Sequence, residues 1–340
     1  MRGFGSDNHS GAHPSVLAAM AAVNEGHVHA YGDDAYTASA TAVFRQHLGE
    51  DTDVAFVFNG TGANCVCFGA LCRPWESVIC PESAHVNTDE CGAPERVALV
   101  KLVPVATPDG KLTPELVKPY LTGFDFEHHA QPHVISVSNV TELGTVYSPA
   151  ELRALADLAH EQGMFLHVDG ARIANAAESL GVTLRDLITD SGVDALSFGG
   201  TKNGMVFGEA VVLLGNARAE HLKYVRKQCT QLPSKSRFVA AQFEAMYSGE
   251  LWRECAGNAN AMGQLLAEGA RAAGVELAFT PQANEVFAWL DQAAATQLAE
   301  RFHFYIWGET PDARGRVQVR WVTSWDTTQA DVEELIAALG

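Results

Sequence analysis

The chain has 340 residues, room for one large domain or two, and its 47% hydrophobic and 19% charged content belongs to an ordinary globular protein, not a disordered or fibrous one. Lys and Arg total 23 against 41 Asp and Glu, a formal charge of −18, which repels phosphate backbones and anionic lipid and argues against nucleic-acid or membrane partners. The opening MRGFGSDNHSGAHP has no apolar stretch after its arginine, and no long apolar run follows, so neither a secretory signal nor an anchor is expected and the compartment is read as cytoplasmic.

In chain order, AFVFN (55–59) reads as a strand that ends in Gly60-Thr61-Gly62 and passes into a small-residue helical pattern over 63–71. Further strands are expected at SVIC (77–80), VALVKLV (97–103) and HVISVS (133–138). Ser148-Pro149-Ala150-Glu151 opens a helix with a serine cap and a proline in the first turn, Leu152, Leu155, Leu158 and Ala159 form its apolar face, and Gly163 ends it. MFLHV (164–168) is a buried strand with Asp169 at its carboxyl end. DALSF (194–198) is another; it runs into Gly199-Gly200-Thr201-Lys202-Asn203-Gly204 and is followed by the strand EAVVLL (209–214). The pattern is then helical to about residue 271, after which EVFAWL, HFYIW and RVQVRWV read as strands and DVEELIAAL as a closing helix. This alternation predicts an α/β protein with a parallel sheet and helical crossovers. A large domain over 1–248 and a small α+β domain over 249–340 are expected.

The seven cysteines contain no CxxC and sit mostly in apolar surroundings, so they read as reduced, buried thiols and no metal site is expected. The pairs His27/His29 and His128/His129 lack helical metal spacing and read as solvated loop residues.

Ligands of an open parallel sheet collect beyond the carboxyl ends of its strands, where Gly60, Asp169 and Lys202 all fall. A Gly-Thr-Gly turn at a helix N-terminus offers N–H groups to a phosphate. Asp169 is a carboxylate able to keep a pyridine nitrogen protonated, and Lys202 is an amine that can reach a carbonyl carbon. Taken singly, each has an ordinary reading: a backbone turn, a surface ion pair, a solvated lysine. Together they meet the needs of pyridoxal 5'-phosphate (PLP).

The sequence resembles the L-threonine aldolase or β-eliminating lyase family of fold-type I PLP-dependent enzymes, which have the aspartate aminotransferase fold. The resemblance runs through Ser6-Asp7-Asn8, Tyr31-Gly32-Asp33-Asp34, Asn59 to Asn64, Ala84-His85, Leu166-His167-Val168-Asp169-Gly170-Ala171-Arg172, Ser197 to Lys202, and Val319 to Thr327. GAHP, DECGAPE and SFGGTKNG bring it nearer to bacterial low-specificity threonine or phenylserine aldolases.

The resemblance implies that Lys202 forms the Schiff base, Asp169 pairs with the pyridine nitrogen, and Gly60, Thr61 and Gly62 hold the phosphate, with Arg237 contacting it from a neighbouring subunit. It implies Ser6, Arg172 and Arg320 as binders of the substrate carboxylate, Tyr31 as a residue that reaches the site, and His85 as the group that stacks on the cofactor and helps take the β-hydroxyl proton. A structural histidine bonded to the backbone is the competing reading of His85. In Val140-Thr141-Glu142-Leu143-Gly144 the chain departs from the family's Asn-Thr-His-Asn-Gly, so Glu142 stands in a histidine's place. Three alternatives remain: Glu142 acts through a water, His128 or His129 supplies an imidazole, or the position tunes substrate preference.

The implied activity is reversible cleavage of L-β-hydroxy-α-amino acids (L-threonine, L-allo-threonine, phenylserine) to glycine and an aldehyde. A β-eliminating lyase or aminotransferase on the same scaffold is the alternative, and a PLP-binding regulatory protein without turnover is a third. The resemblance also implies a homodimer or homotetramer with shared active sites.

Overall fold

The structure is a computed structural model that describes residues 3–308 and 310–340; Met1 and Arg2, the first two residues of the segment read as carrying no signal, lie outside them. Seven strands, β1 (Thr52–Val57), β2 (Glu76–Pro81), β3 (Lys101–Val105), β4 (Gln131–Ser138), β5 (Phe165–Gly170), β6 (Ala195–Gly199) and β7 (Glu209–Leu214), form one sheet in the order β1-β7-β6-β5-β4-β2-β3. Every residue of β2, β6 and β7 is buried, as strands covered by helices on both faces must be.

All of these pairings are parallel except those of β7, which runs antiparallel to both β1 and β6. Only residues 200–208 link β6 to β7, too few for a helical crossover, so the chain must turn straight back. This short return carries Lys202. The expected strand at 97–103 starts later: Pro94, in the first turn after left-handed Gly92, favours a short helix over Ala93–Val97, and pairing begins at Lys101. The helix Pro149–Glu161 has the expected capping box between Ser148 and Glu151.

One face of the sheet packs on Phe44, Phe56, Phe198, Phe243 and Tyr247. Phe198, next to the end of β6, lies edge-on to Phe44 at 4.9 Å and to Tyr247 at 4.9 Å between ring centroids. Truncating such a ring costs about 3–5 kcal/mol, so the strand end that leads to Lys202 rests on a stiff base. The other face packs on Val66, Phe68, Val78, Val134 and Val211.

A second sheet is wholly antiparallel: β8 (Glu276–Leu277), β9 (Glu285–Asp291), β10 (Tyr305–Trp307) and β11 (Arg316–Val322), in the order β10-β11-β9-β8. The helix Leu251–Ala272 ties the two bodies together, with Trp252, Cys255 and Ala256 in the first core and Leu266, Ala267 and Ala270 in the core under the second sheet. Phe4 belongs to that second core too; its N–H donates to Phe302 O at 3.0 Å and its carbonyl accepts from Val322 N at 2.8 Å. The N-terminal segment is thereby anchored just before Asp7. No described helix is long and apolar enough to cross a membrane.

Candidate active site

The parallel ladder aligns Ser138 with Asp169 and Asp169 with Ser197, so the chain leaves β4, β5 and β6 side by side at one edge of the sheet. A cavity of about 380 Å³ opens there, lined among others by Gly60, Thr61, His85, Glu142, Asp169, Arg172 and Lys202. Its size is that of small-molecule sites, roughly 300–1,000 Å³. Glycine is needed at 199 because a Cβ there would overlap the Ala171 carbonyl; without one, the turn after β5 and the turn carrying Lys202 come together.

The helix Gly60–Leu71 points its N-terminus at the cavity. Asn59 caps it, its side-chain oxygen accepting from Gly62 N at 2.8 Å, while the first-turn N–H groups of Gly60 and Thr61 have no intrahelical acceptor and the helix dipole adds positive potential. Gly62 is one step removed from the cavity, its N–H committed to Asn59 and its Cα side covered by Gln231, whose oxygen accepts from Phe58 N at 3.0 Å.

Asp169 is almost fully buried, and its Oδ1 accepts from Ala171 N at 3.0 Å while Oδ2 accepts from Asn64 Nδ2 at 2.8 Å. Lys202 lies on a one-turn 3-10 segment and has no ion-pair partner among the described residues. Glu209, which carries no motif in the sequence, enters the cavity because β7 runs antiparallel; its Oε2 accepts from Gly200 N at 2.6 Å, and burial pushes its carboxyl up to about 7.

His85 opens a short helix beside the cavity. Its Nδ1 is 2.9 Å from Glu90 Oε1, a bond that raises the basicity of the ring against the opposing effect of burial. Glu142 is half-buried with its carboxyl turned inward, and its Oε1 accepts from Ser138 Oγ at 2.6 Å and from the His85 backbone N–H at 2.8 Å. Burial pushes its carboxyl above the usual range, and Oε2 has no hydrogen-bond partner. His128 and His129 are exposed and do not line the cavity.

Arg172 is held side-on by Asp7, Nε to Oδ2 at 2.6 Å and Nη2 to Oδ1 at 3.1 Å, with Glu285 Oε2 3.3 Å from Nη1. Asp7 has no sequence signal beyond its place beside Ser6. Arg320 stands behind this pair, 3.8 Å from Glu285 Oε1, donating to Gly5 O at 3.2 Å and stacked 4.4 Å from the Trp307 ring centroid. Ser6 accepts from Asn8 N at 3.1 Å and caps the turn that brings Asn8 to the cavity. Two of the named residues lie elsewhere: Arg237 is half-buried and donates to the Glu25 and Gly26 carbonyls at 3.2 and 3.3 Å, and Tyr31 is exposed on a separate cavity with Asp33, Arg45 and Arg226.

The residues present fit PLP. A helix N-terminus suits its phosphate, an unpaired lysine amine its aldehyde, and a buried carboxylate with a fixed partner its pyridine nitrogen.

The chain matches the family described as Beta-eliminating lyase over residues 3–293. It is 44% identical over 335 residues to the low specificity L-threonine aldolase of Pseudomonas aeruginosa, covering 98% of this chain and 95% of that protein. Against the enzyme of the same name from Pseudomonas sp. it is 42% identical over 339 residues, covering 98% and 96%. A solved Leishmania major threonine aldolase superposes with a TM-score of 0.93 at 32% identity, covering 100% of this chain and 98% of that one. The architecture is that of the fold-type I PLP-dependent enzymes.

Proposed function

The chain belongs to the beta-eliminating lyase family, within it alongside the low-specificity L-threonine aldolases, and on that premise we propose that it reversibly cleaves L-β-hydroxy-α-amino acids to glycine and an aldehyde. The family is PLP-dependent, and we propose PLP as this chain's cofactor. The observation that carries the reading is the meeting of Lys202, Asp169, Arg172 and the Gly60-Thr61 helix end in one cavity.

When bound, PLP supplies an electron sink for the pair left at Cα as the Cα–Cβ bond breaks. Lys202 would hold the cofactor through its aldehyde, its amine standing in the cavity. Asp169, kept in place by Asn64 and Ala171, stabilises a proton on the pyridine nitrogen. Gly60 and Thr61 bind the phosphate through backbone N–H groups, with Gly62 shaping their turn. Arg172 would clamp the substrate carboxylate and so fix the orientation of the amino acid in the cavity; Arg320 and Ser6 would support the clamp. His85 takes the β-hydroxyl proton, and Glu142 exchanges it through a water.

Arg237 and Tyr31 serve a neighbouring subunit in a homodimer, or in a tetramer of such dimers. Residue 249 is the proposed start of the C-terminal domain. Seven free thiols suit a cytoplasmic compartment.

The test is a coupled aldehyde assay on threonine, allo-threonine and phenylserine in both L and D forms. Aldehyde and glycine from the L substrates are expected. A keto acid as the product would point to elimination or transamination, and no turnover with cofactor bound would point to a regulatory protein.

A further inference from the structure

Glu90 lies in the turn between the helices His85–Thr88 and Ala93–Val97, with its side chain wholly enclosed. One oxygen, Oε1, accepts from His85 Nδ1 at 2.9 Å and from Asn64 Nδ2 at 2.8 Å. The same Asn64 amide donates to Asp169 at 2.8 Å, so a single buried NH₂ group joins two carboxylates on opposite sides. Reversing that amide would turn its oxygen against both acids, which fixes its orientation. His85 is differently placed: 42% of its side chain is exposed, and the residue lines the cavity.

A carboxylate oxygen and a bare ring nitrogen are both acceptors, and neither bonds the other without a proton. At 2.9 Å from Glu90 the proton of a neutral His85 therefore sits on Nδ1, leaving Nε2 as the free lone pair. The other charges around the ring are Asp169 and Lys202, which oppose one another, and Glu142, which holds the backbone N–H of His85. Glu90 is the only one of these bonded to the ring itself.

We infer that Glu90 is a positioning residue for proton removal from the β-hydroxyl: its carboxylate fixes the His85 tautomer and orientation, presents Nε2 to the substrate, and through Asn64 ties that imidazole to the Asp169 anchor. The inference rests on the proposed role of His85, and two readouts keep the two apart. The first is a pH titration of ¹⁵N-histidine NMR signals on the purified enzyme, with and without PLP, in wild type and Glu90→Gln. The second is the pH profile of kcat/KM for L-phenylserine cleavage by the same proteins.

In the wild type the neutral His85 ring should carry its proton on Nδ1. Glutamine can still accept that proton but lacks the charge, so the His85 titration should move down by about 1 pH unit, and Glu90→Asp should restore it in part. The acid limb of kcat/KM should move down with it. An Nε2–H tautomer in the wild type, which needs no variant to detect, or an unmoved titration in Glu90→Gln, overturns the role of Glu90. A titration that moves while the acid limb stays fixed overturns His85 as the proton acceptor, and with it the link from Glu90 to catalysis.

Discussion

Arg172 is grasped from the side by Asp7, two hydrogen bonds of 2.6 and 3.1 Å joining a strand-end turn to the N-terminal segment. Burial works against the Asp7 charge, but the Arg172 guanidinium and Lys202 outweigh it and hold the carboxyl below its usual range. The Nε edge of the guanidinium is thus occupied and Glu285 Oε2 stands 3.3 Å from Nη1, so a substrate carboxylate bound as proposed would meet the remaining N–H groups of Nη1 and Nη2.

Arg172→Ala should therefore weaken amino-acid binding by about 2–5 kcal/mol, the usual cost of removing one partner of a desolvated charge pair. Asp7→Asn should raise KM with a smaller effect on kcat, and Arg320→Ala should do less than Arg172→Ala because Arg172 lines the cavity whereas Arg320 stands behind it, across Glu285. Steady-state kinetics on L-threonine check the order. Equal effects of the two arginines would place Arg320 at the substrate.

Lys202→Ala should abolish turnover and the yellow cofactor band, as no other lysine lines the cavity. Borohydride reduction followed by peptide mapping checks it; cofactor fixed to another lysine would show that a different amine does the work.

Glu142→Gln should fold normally, because an amide oxygen can still accept from Ser138 and from the His85 N–H, yet it cannot take up a proton. A loss in kcat of about 10²-fold is expected from removal of one acid–base group. An unchanged kcat with an altered preference among threonine, allo-threonine and phenylserine would make the position a specificity device.

His167, in the middle of β5, is a buried neutral histidine between Ser136 Oγ (2.9 Å) and Ser197 Oγ (3.0 Å) on the flanking strands, and burial pulls its pKa down to about 4. In the unfolded chain it titrates near 6.5. Between those values the unfolded state binds more protons, so stability falls as pH drops through the window, by roughly 3 kcal/mol at most from this group. Urea unfolding from pH 7 to pH 4 should show the fall, and His167→Gln should flatten it. An equal slope in the variant would assign the acid sensitivity to other groups.

The parts of the site that lie along one stretch of chain are legible in the amino-acid sequence. An apolar run ending in Gly60-Thr61-Gly62 has few conformations other than strand, turn and helix, and Asp169 and Lys202 each follow a strand. Residues that act across the fold carry no such mark. Asp7 reaches Arg172 only because Phe4 is pinned to the second sheet, and Glu209 faces the cavity only because nine residues cannot make a crossover and β7 must turn back. Glu90 and Asn64 sit in apolar or turn-like stretches with no periodic signal. The apolar run at 97–103 overstates its strand because it masks the helix that starts beside Pro94.

Arg237 supplies a test of shared sites. A Lys202→Ala chain mixed with an Arg237→Ala chain should regain some activity through hybrid dimers in which one site keeps both residues. No recovery after demonstrated subunit exchange would confine Arg237 to its own subunit.

The stoichiometry of L-threonine cleavage by the purified, PLP-loaded protein tests the aldolase assignment most directly. Glycine and acetaldehyde should appear in equal amounts, with neither in the Lys202→Ala control. Ammonia and 2-oxobutyrate in their place would mean that the Cβ–O bond breaks instead of Cα–Cβ, and would contradict it.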